Sequence, residues 1–299
     1  MKKVIVLGSI NIDLVMETER LPRIGETILG QSIDYYMGGK GANQAVACSR
    51  MGCEVILYGS VGNDTFGEKA INHLKNENIN IDYIKKEKNI FTGTASIFRI
   101  KTDNSIVVLP GANMLLEETK GLTELIERED VFITQLEIPI ETVHKGLKLA
   151  NKTGALTILN PAPFNKEVLK FIDYVDIITP NETEFQGMVD SVIHEGNFEQ
   201  EMIKWSNQHR TKLIVTRGSR GVSYVEMGEV ITIPAKNVNV VDTTGAGDTF
   251  NGILSAQLLK KASLHDAIEL ASIGASISTT APGAQSGMPK YSDVHQGDK

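Results

Sequence analysis

Short runs rich in β-branched residues alternate with helix-periodic stretches along most of this 299-residue chain, and that alternation limits the possible folds more than any other feature. Residues 4–7, 54–58, 131–136, 156–159, 175–178 and 213–216 read as strands. Residues 42–50, 65–76, 140–151, 182–189 and 198–208 read as helices. In 65–76 the apolar residues Phe66, Ala70, Ile71 and Leu74 share one face. Repeated strand–helix–strand units make neighbouring strands parallel and place the helices over them. The expected fold is a three-layer α/β/α sandwich with a mainly parallel central sheet. In such sheets ligands gather at the carboxyl ends of the strands.

Two segments break the alternation. Residues 27–37 and 92–109 look like strands with no helix between, the second turning at Thr102-Asp103-Asn104. They predict a small antiparallel sheet outside the main one, either a lid over the active site or an edge that pairs with another subunit. A hairpin (221–226 and 230–233) and two helices (249–260 and 264–279) follow. There is no internal repeat or long linker, so the chain reads as a single domain over 1–299 with a lid subdomain from about 12–38 and 92–110.

A composition of 41% hydrophobic and 22% charged residues predicts a sizeable core. The net charge of −7 argues against a nucleic-acid or anionic-membrane surface. Phosphate ligands stay open, because local N–H groups and a few cations suffice to hold them. No apolar run is long enough to span a bilayer. The basic and apolar start is cut short by Asn11 and Asp13 and reads as a first buried strand; a cytoplasmic location is expected. Two cysteines, Cys48 and Cys53, are too few for a disulfide framework. The six histidines show no paired spacing for a structural zinc.

The segment that speaks most directly of chemistry is Asp242-Thr243-Thr244-Gly245-Ala246-Gly247-Asp248, after the valine-rich 237–241 and before an apolar helix. A turn of small residues opening a helix leaves N–H groups free for an anion such as phosphate. A carboxylate in that turn would repel the anion. It makes sense if Asp248 takes a proton from an alcohol attacking a phosphoryl group. Asp248 as a simple helix cap explains the segment equally well. The two common nucleotide signatures, G-x-G-x-x-G after a strand and G-x-x-x-x-G-K-[ST], are absent.

Weaker signals sit at other strand ends. Gly38-Gly39-Lys40-Gly41-Ala42-Asn43 enters the first long helix, either as a flexible entry or as glycines admitting a ligand beside Lys40 and Asn43. Asn11 and Asp13 suit sugar hydroxyls and are also common turn residues. Glu137 follows another strand, and Asn160-Pro161-Ala162-Pro163 reads as a rigid loop. Asn181 and Glu184 share a helical face, as a helix cap or as a Mg²⁺ and phosphate-water site. Thr216-Arg217-Gly218-Ser219-Arg220-Gly221 offers two guanidinium groups, as a turn or for ATP phosphates.

Taken with Gly8-Ser9-Ile10-Asn11-Ile12-Asp13 and Leu21-Pro22-Arg23-Ile24-Gly25-Glu26-Thr27, these segments run nearly end to end, and the chain resembles the ribokinase-like carbohydrate kinase family. The two most specific segments are Gly38–Asn43 and Asp242–Asp248. The resemblance is strongest to the ribose-phosphorylating branch. It implies an ATP-dependent phosphotransferase acting on the 5-hydroxyl of D-ribose, with a sister activity on 2-deoxyribose or another pentose or ketose as the alternative. It assigns the base to Asp248 and the anion hole to Gly245, Ala246 and Gly247. It gives the sugar contacts to Asn11, Asp13, Gly39, Lys40, Gly41, Asn43 and Glu137. ATP falls to Asn181, Thr216, Gly218, Ser219, Gly221, Gly247 and Ser272, and Mg²⁺ to Glu184 through water. It also implies an activating monovalent cation, usually K⁺, at Asp242, Thr244, Ser278, Ala281, Gly283 and Gly287, and a homodimer formed through the lid. Two departures stand out. The last cation position usually holds serine, and Gly287 leaves that oxygen to Ser286 or water. Ser272 stands where Asn or His is common. A sugar-binding regulator without catalysis is the alternative from another class, and the intact Asp248 and glycine turn weigh against it.

Overall fold

Val4 and Val6 point to one side of the first strand and Ile5 and Leu7 to the other, and all four are fully buried. A strand of this kind needs a helical layer on each face. The computed structural model, which describes residues 2–100, 103–117, 119 and 121–294, supplies both.

The elements run in the order β1 (Val4–Leu7), β2 (Asn11–Glu17), β3 (Ser32–Gly38), α1 (Lys40–Arg50), β4 (Val55–Gly62), α2 (Thr65–Asn76), β5 (Ile84–Glu87), β6 (Gly93–Ile100) and β7 (Asp103–Leu109). They continue with α3 (Leu122–Leu125), β8 (Val131–Thr134), α4 (Ile140–Thr153), β9 (Leu156–Leu159), β10 (Ile177–Ile178), α5 (Glu182–Met188) and α6 (Phe198–Gln208). The chain closes with β11 (Lys212–Thr216), β12 (Val222–Glu226), β13 (Glu229–Ile233), α7 (Ala246–Leu259), α8 (Leu264–Ser278) and α9 (Tyr291–Val294). Short 3-10 turns lie at Gly111–Leu115, Lys166–Tyr174 and Gly218–Arg220.

Nine strands form the main sheet in the order β13-β12-β11-β10-β9-β8-β1-β4-β5. All pair in parallel from β11 to β5; β12 and β13 add an antiparallel edge. Helices α1, α2, α7 and α8 cover the face carrying Val4 and Val6. Helices α3, α4, α5 and α6 cover the face carrying Ile5 and Leu7. From β1 the chain first builds outward through β4 and β5, then returns to the other side of β1 for β8. The strand order reverses there, which opens a crevice between the carboxyl ends of β1 and β8.

The second sheet has four strands in the order β3-β2-β6-β7. It differs from the sequence expectation. Residues 27–31 are irregular and the strand begins at Ser32. Asn11 and Asp13 lie within β2 instead of in a turn, and β2 pairs in parallel with β6. Their polar side chains masked a strand, because both are buried where a sequence pattern expects polar residues to face solvent. Strand β5 was also missed, since Ile84-Lys85-Lys86-Glu87 has too few apolar residues to signal one. The valine-rich 237–241 forms no strand. Part of the expected turn at Thr102 lies outside the described residues.

Candidate active site

Helices α1 and α7 cross where neither has bulk. A Cβ on Gly252 would sit 2.4 Å from the Ala47 methyl and 2.7 Å from the Gln44 carbonyl, and the Cys48 thiol reaches the Gly252 carbonyl at 3.1 Å. The close crossing brings the two helix N-termini together. Asp248, in the first turn of α7, meets the side chains of Asn43 and Gln44 in the first turn of α1. Asn43 donates to Oδ2 at 2.8 Å and Gln44 to Oδ1 at 3.1 Å. The cap position of α7 belongs to Gly245, which has no side chain to offer. The helix-cap explanation of Asp248 therefore fails, and its carboxylate is turned inward to α1.

Each amide is held from behind. Gln44 accepts from Gln135 at 2.6 Å and also donates to Asn160. Asn43 accepts from Gln285 at 2.8 Å, and Gln285 in turn meets His73. The conformational freedom of the carboxylate is thereby restricted before any ligand arrives. In the glycine turn, the N–H groups of Gly245 and Gly247 meet no backbone acceptor among the described residues, while that of Ala246 makes a long 3.3 Å bond to Thr243. Positive φ at Gly245 and the Ala284 backbone pressed against it exclude any larger residue there.

The cleft in front of this turn has a volume of about 680 Å³. Lys40, Asn181, Glu184, Thr216, Gly218, Ser219, Gly221, Gly245, Ala246, Gly247, Asp248 and Ser272 all line it. Asn11, Asp13 and Asn43 are buried and Glu137 is half-buried; none of the four is among the lining residues. Lys40 is the hub of the charges. Burial alone would lower its pKa, but Asp248, Glu137, Glu184 and Asp13 surround it and leave it above the ordinary lysine value. Burial, reinforced by Glu137 and Asp248, raises Asp13 to about 7 against the pull of Lys40. Glu184 is also raised, chiefly by burial. Glu137 accepts from Ser9 at 2.5 Å and from the Lys40 N–H at 3.0 Å, tying the start of α1 to the end of β8.

The glycines around Lys40 admit protein before they admit any ligand. A Cβ on Gly38 would strike the Asp13 carboxylate at 2.4 Å, one on Gly39 the Asn11 N–H at 2.6 Å, and one on Gly41 the Gly8 backbone at 2.5 Å. Asn181 and Glu184 form a reciprocal capping box on α5 while both line the cleft, so the cap and the site use the same pair. Arg217 and Arg220 behave differently. Arg217 binds Glu182 at 3.0 Å and stacks on Phe198; Arg220 binds Glu182 and Glu195. Neither guanidinium lines the cleft, so the structure does not bring them together with the other expected ATP residues. A neighbouring carboxylate captured both, which residue spacing alone does not reveal.

Asp242, Thr244 and the 278–287 segment meet beside the glycine turn. Burial raises Asp242, but hydrogen bonds from Thr244 and Gly283, with Arg99 at 3.5 Å, outweigh it and hold the carboxyl below its usual range. The carbonyls of Ser278, Ala281 and Gly283 take no backbone hydrogen bond among the described residues. Gly287 packs so closely that a Cβ would lie 2.2 Å from the Ser278 carbonyl. Gln44 and Gln285 were missed in the sequence; Gln44 directly follows Asn43 and was within reach of the same helical reasoning, whereas Gln285 carried no signal. Val238 and Val240, noted only as part of a valine-rich stretch, line the cleft.

The model of the pfkB family carbohydrate kinases matches residues 1–291. The chain belongs to that family. A ribokinase of Lactococcus lactis is 41% identical over 297 residues, covering 98% of this chain and 96% of the relative. A deoxyribokinase of Salmonella typhi is 32% identical, covering 97% of each. The solved structure of Arabidopsis thaliana ribokinase complexed with ribose and ATP superposes with a TM-score of 0.88 at 30% identity, covering 98% of this chain and 97% of that one. The chain is thus a carbohydrate kinase, a phosphotransferase with a ribokinase-like fold.

The raised Asp13 gives a pH test. Between the ordinary aspartate value of 3.8 and about 7 the folded protein keeps a proton that the unfolded chain gives up, so stability falls as pH rises through this window. Asp13→Asn mimics the protonated form. It should raise the melting temperature at pH 8 and change it little near pH 5; an equal shift at both, read by differential scanning calorimetry, would contradict the assignment.

Proposed function

We propose that this protein transfers the γ-phosphoryl group of ATP to the 5-hydroxyl of D-ribose. The observation that carries the reading is the Asp248 carboxylate, fixed by Asn43 and Gln44 beside the free N–H groups of a glycine turn, with a buried polar cluster behind it. In this reading Asp248 accepts the proton of the attacking hydroxyl as the new P–O bond forms. The N–H groups of Gly245 and Gly247 receive the developing charge, and Ala246 joins by releasing its long bond to Thr243. Lys40 neutralises charge at the cleft, and Asn11, Asp13, Asn43 and Glu137 orient the sugar. The ATP phosphates extend toward Asn181, Thr216, Gly218, Ser219 and Gly221, and the base toward Ser272, Val238 and Val240.

No group of three His, Cys, Asp or Glu side chains able to hold a metal occurs among the described residues. That fits a Mg²⁺ carried on the ATP phosphates, with Glu184 acting through water; bound there, it would neutralise phosphate charge. For K⁺, the open carbonyls of Ser278, Ala281 and Gly283, with Asp242 and Thr244 beside them, suit a weakly hydrated cation. Gly287 adds no side-chain oxygen. The small sheet acts in this reading as the lid and as the contact with a second copy. Its exposed Ile33, Tyr35, Ile106 and Val107 support that role. A monomer at micromolar concentration in analytical ultracentrifugation would end the dimer reading.

The 2-deoxyribose alternative is favoured by the Salmonella relative. Against it stands the pairing of Asn11 with Asp13, since buried groups built for a hydroxyl go unpaired when that hydroxyl is missing. A coupled ADP-release assay over ribose, 2-deoxyribose, fructose, ribulose and adenosine decides; ribose should give the highest kcat/KM. Asp248→Asn should cut kcat on the order of 10²-fold or more while the ribose Kd stays within several-fold. Near-parental turnover would remove Asp248 from the role of base. Replacing a bulky organic cation with K⁺ should raise turnover, and a flat response would mean that Gly287 has cost the site its function.

A further inference from the structure

Asn113 lies in the 3-10 turn Gly111–Leu115 and is almost wholly buried. Its carboxamide makes three hydrogen bonds, all to the residues leading into β2. Oδ1 accepts from the Ile10 N–H at 2.9 Å, and Nδ2 donates to the Ile10 carbonyl at 3.2 Å and to Asn11 Oδ1 at 2.7 Å. A backbone N–H can only donate and a backbone carbonyl only accept, so Ile10 dictates which end of the Asn113 amide is oxygen. With that fixed, the Asn11 atom facing Asn113 Nδ2 has to be an acceptor. The Asn11 carbonyl is consumed from behind, and its amide nitrogen is turned away from Asn113. Gly93, opposite Asn11 in the β2–β6 register, makes the room: a Cβ there would lie 2.1 Å from Asn11 Oδ1 and 2.2 Å from Asn113 Nδ2.

We propose that Asn113 is a positioning residue that fixes the polarity of Asn11, so that the sugar meets amide N–H donors and not a carbonyl. The inference rests on the sugar-kinase reading above. Asp13 lies two residues on, on the same face of β2, and offers acceptor oxygens. A sugar hydroxyl between the two accepts from Asn11 and donates to Asp13. If Asn11 were reversed, two acceptors would compete for one O–H, and one buried oxygen would go unmet. Asn113 therefore sets selectivity without touching substrate.

A double-mutant cycle separates this role from simple structural support. Asn11→Ala, Asn113→Leu and the double variant are assayed for the KM of ribose, the KM of ATP and kcat. Each single variant should raise the ribose KM about tenfold, the worth of one buried hydrogen bond. The ATP KM should stay at the parental value. The double variant should match Asn11→Ala in ribose KM, because in the proposal Asn113 reaches the sugar only through Asn11, its bonds to Ile10 serving to orient it. Additive penalties, equal losses in both KM values, or an Asn113→Leu enzyme with an unchanged ribose KM would each overturn the proposal. If Asn113→Leu does not fold, Asn113→Asp keeps the size and the acceptor for the Ile10 N–H, and goes through the same cycle with the same criteria. A parent enzyme that releases no ADP with ribose would instead remove the sugar-kinase reading, so the two failures are distinct.

Discussion

The site depends on the crossing of α1 and α7 at Gly252. Each helix begins at a different end of the sequence, and only the absence of a side chain at 252 lets Ala47 and the Gln44 carbonyl approach. One turn upstream of the crossing, Asp248 is within reach of Asn43 and Gln44. A larger residue at 252 would separate the helices and leave the carboxylate without either amide. The packing of the helical layer and the placing of the Asp248 carboxylate are one constraint.

The charges then follow from the topology. The switch point between β1 and β8 puts Ser9 and Glu137 side by side, and Glu137 grips the start of α1. That fixes Lys40 among four carboxylates. The same ammonium lets Asp248, Glu137 and Glu184 crowd together, and Asp13 still gives way by taking a proton near pH 7. A net acidic protein can in this way keep a cleft open to an anionic ligand, because the local balance of lysine and amide N–H groups matters more than the sum over the chain.

The sequence disclosed most of the fold because its strands are buried on both faces and its helices are periodic. Helices 65–76 and 198–208 coincide with α2 and α6 to the residue. It failed where local rules compete. Asn11 and Asp13 resemble turn residues by composition, and only pairing with β3 and β6 shows them to be buried strand residues. Arg217 and Arg220 resemble phosphate ligands until Glu182 is brought against them by the fold. The supporting amides, Gln285 and Asn113, are invisible to spacing, because their partners lie more than 100 residues away in the chain.

Asn11 and Asp13 belong to the small sheet, whereas Asp248, Glu184 and the 216–221 turn belong to the ends of the large one. In the proposed reading, the acceptor sugar meets the small sheet through Asn11 and Asp13, while the glycine turn and Glu184 stand at the ends of the large one. On that reading, substitutions in β2 and β6 would change the sugar accepted and leave the glycine turn that opens α7 in place.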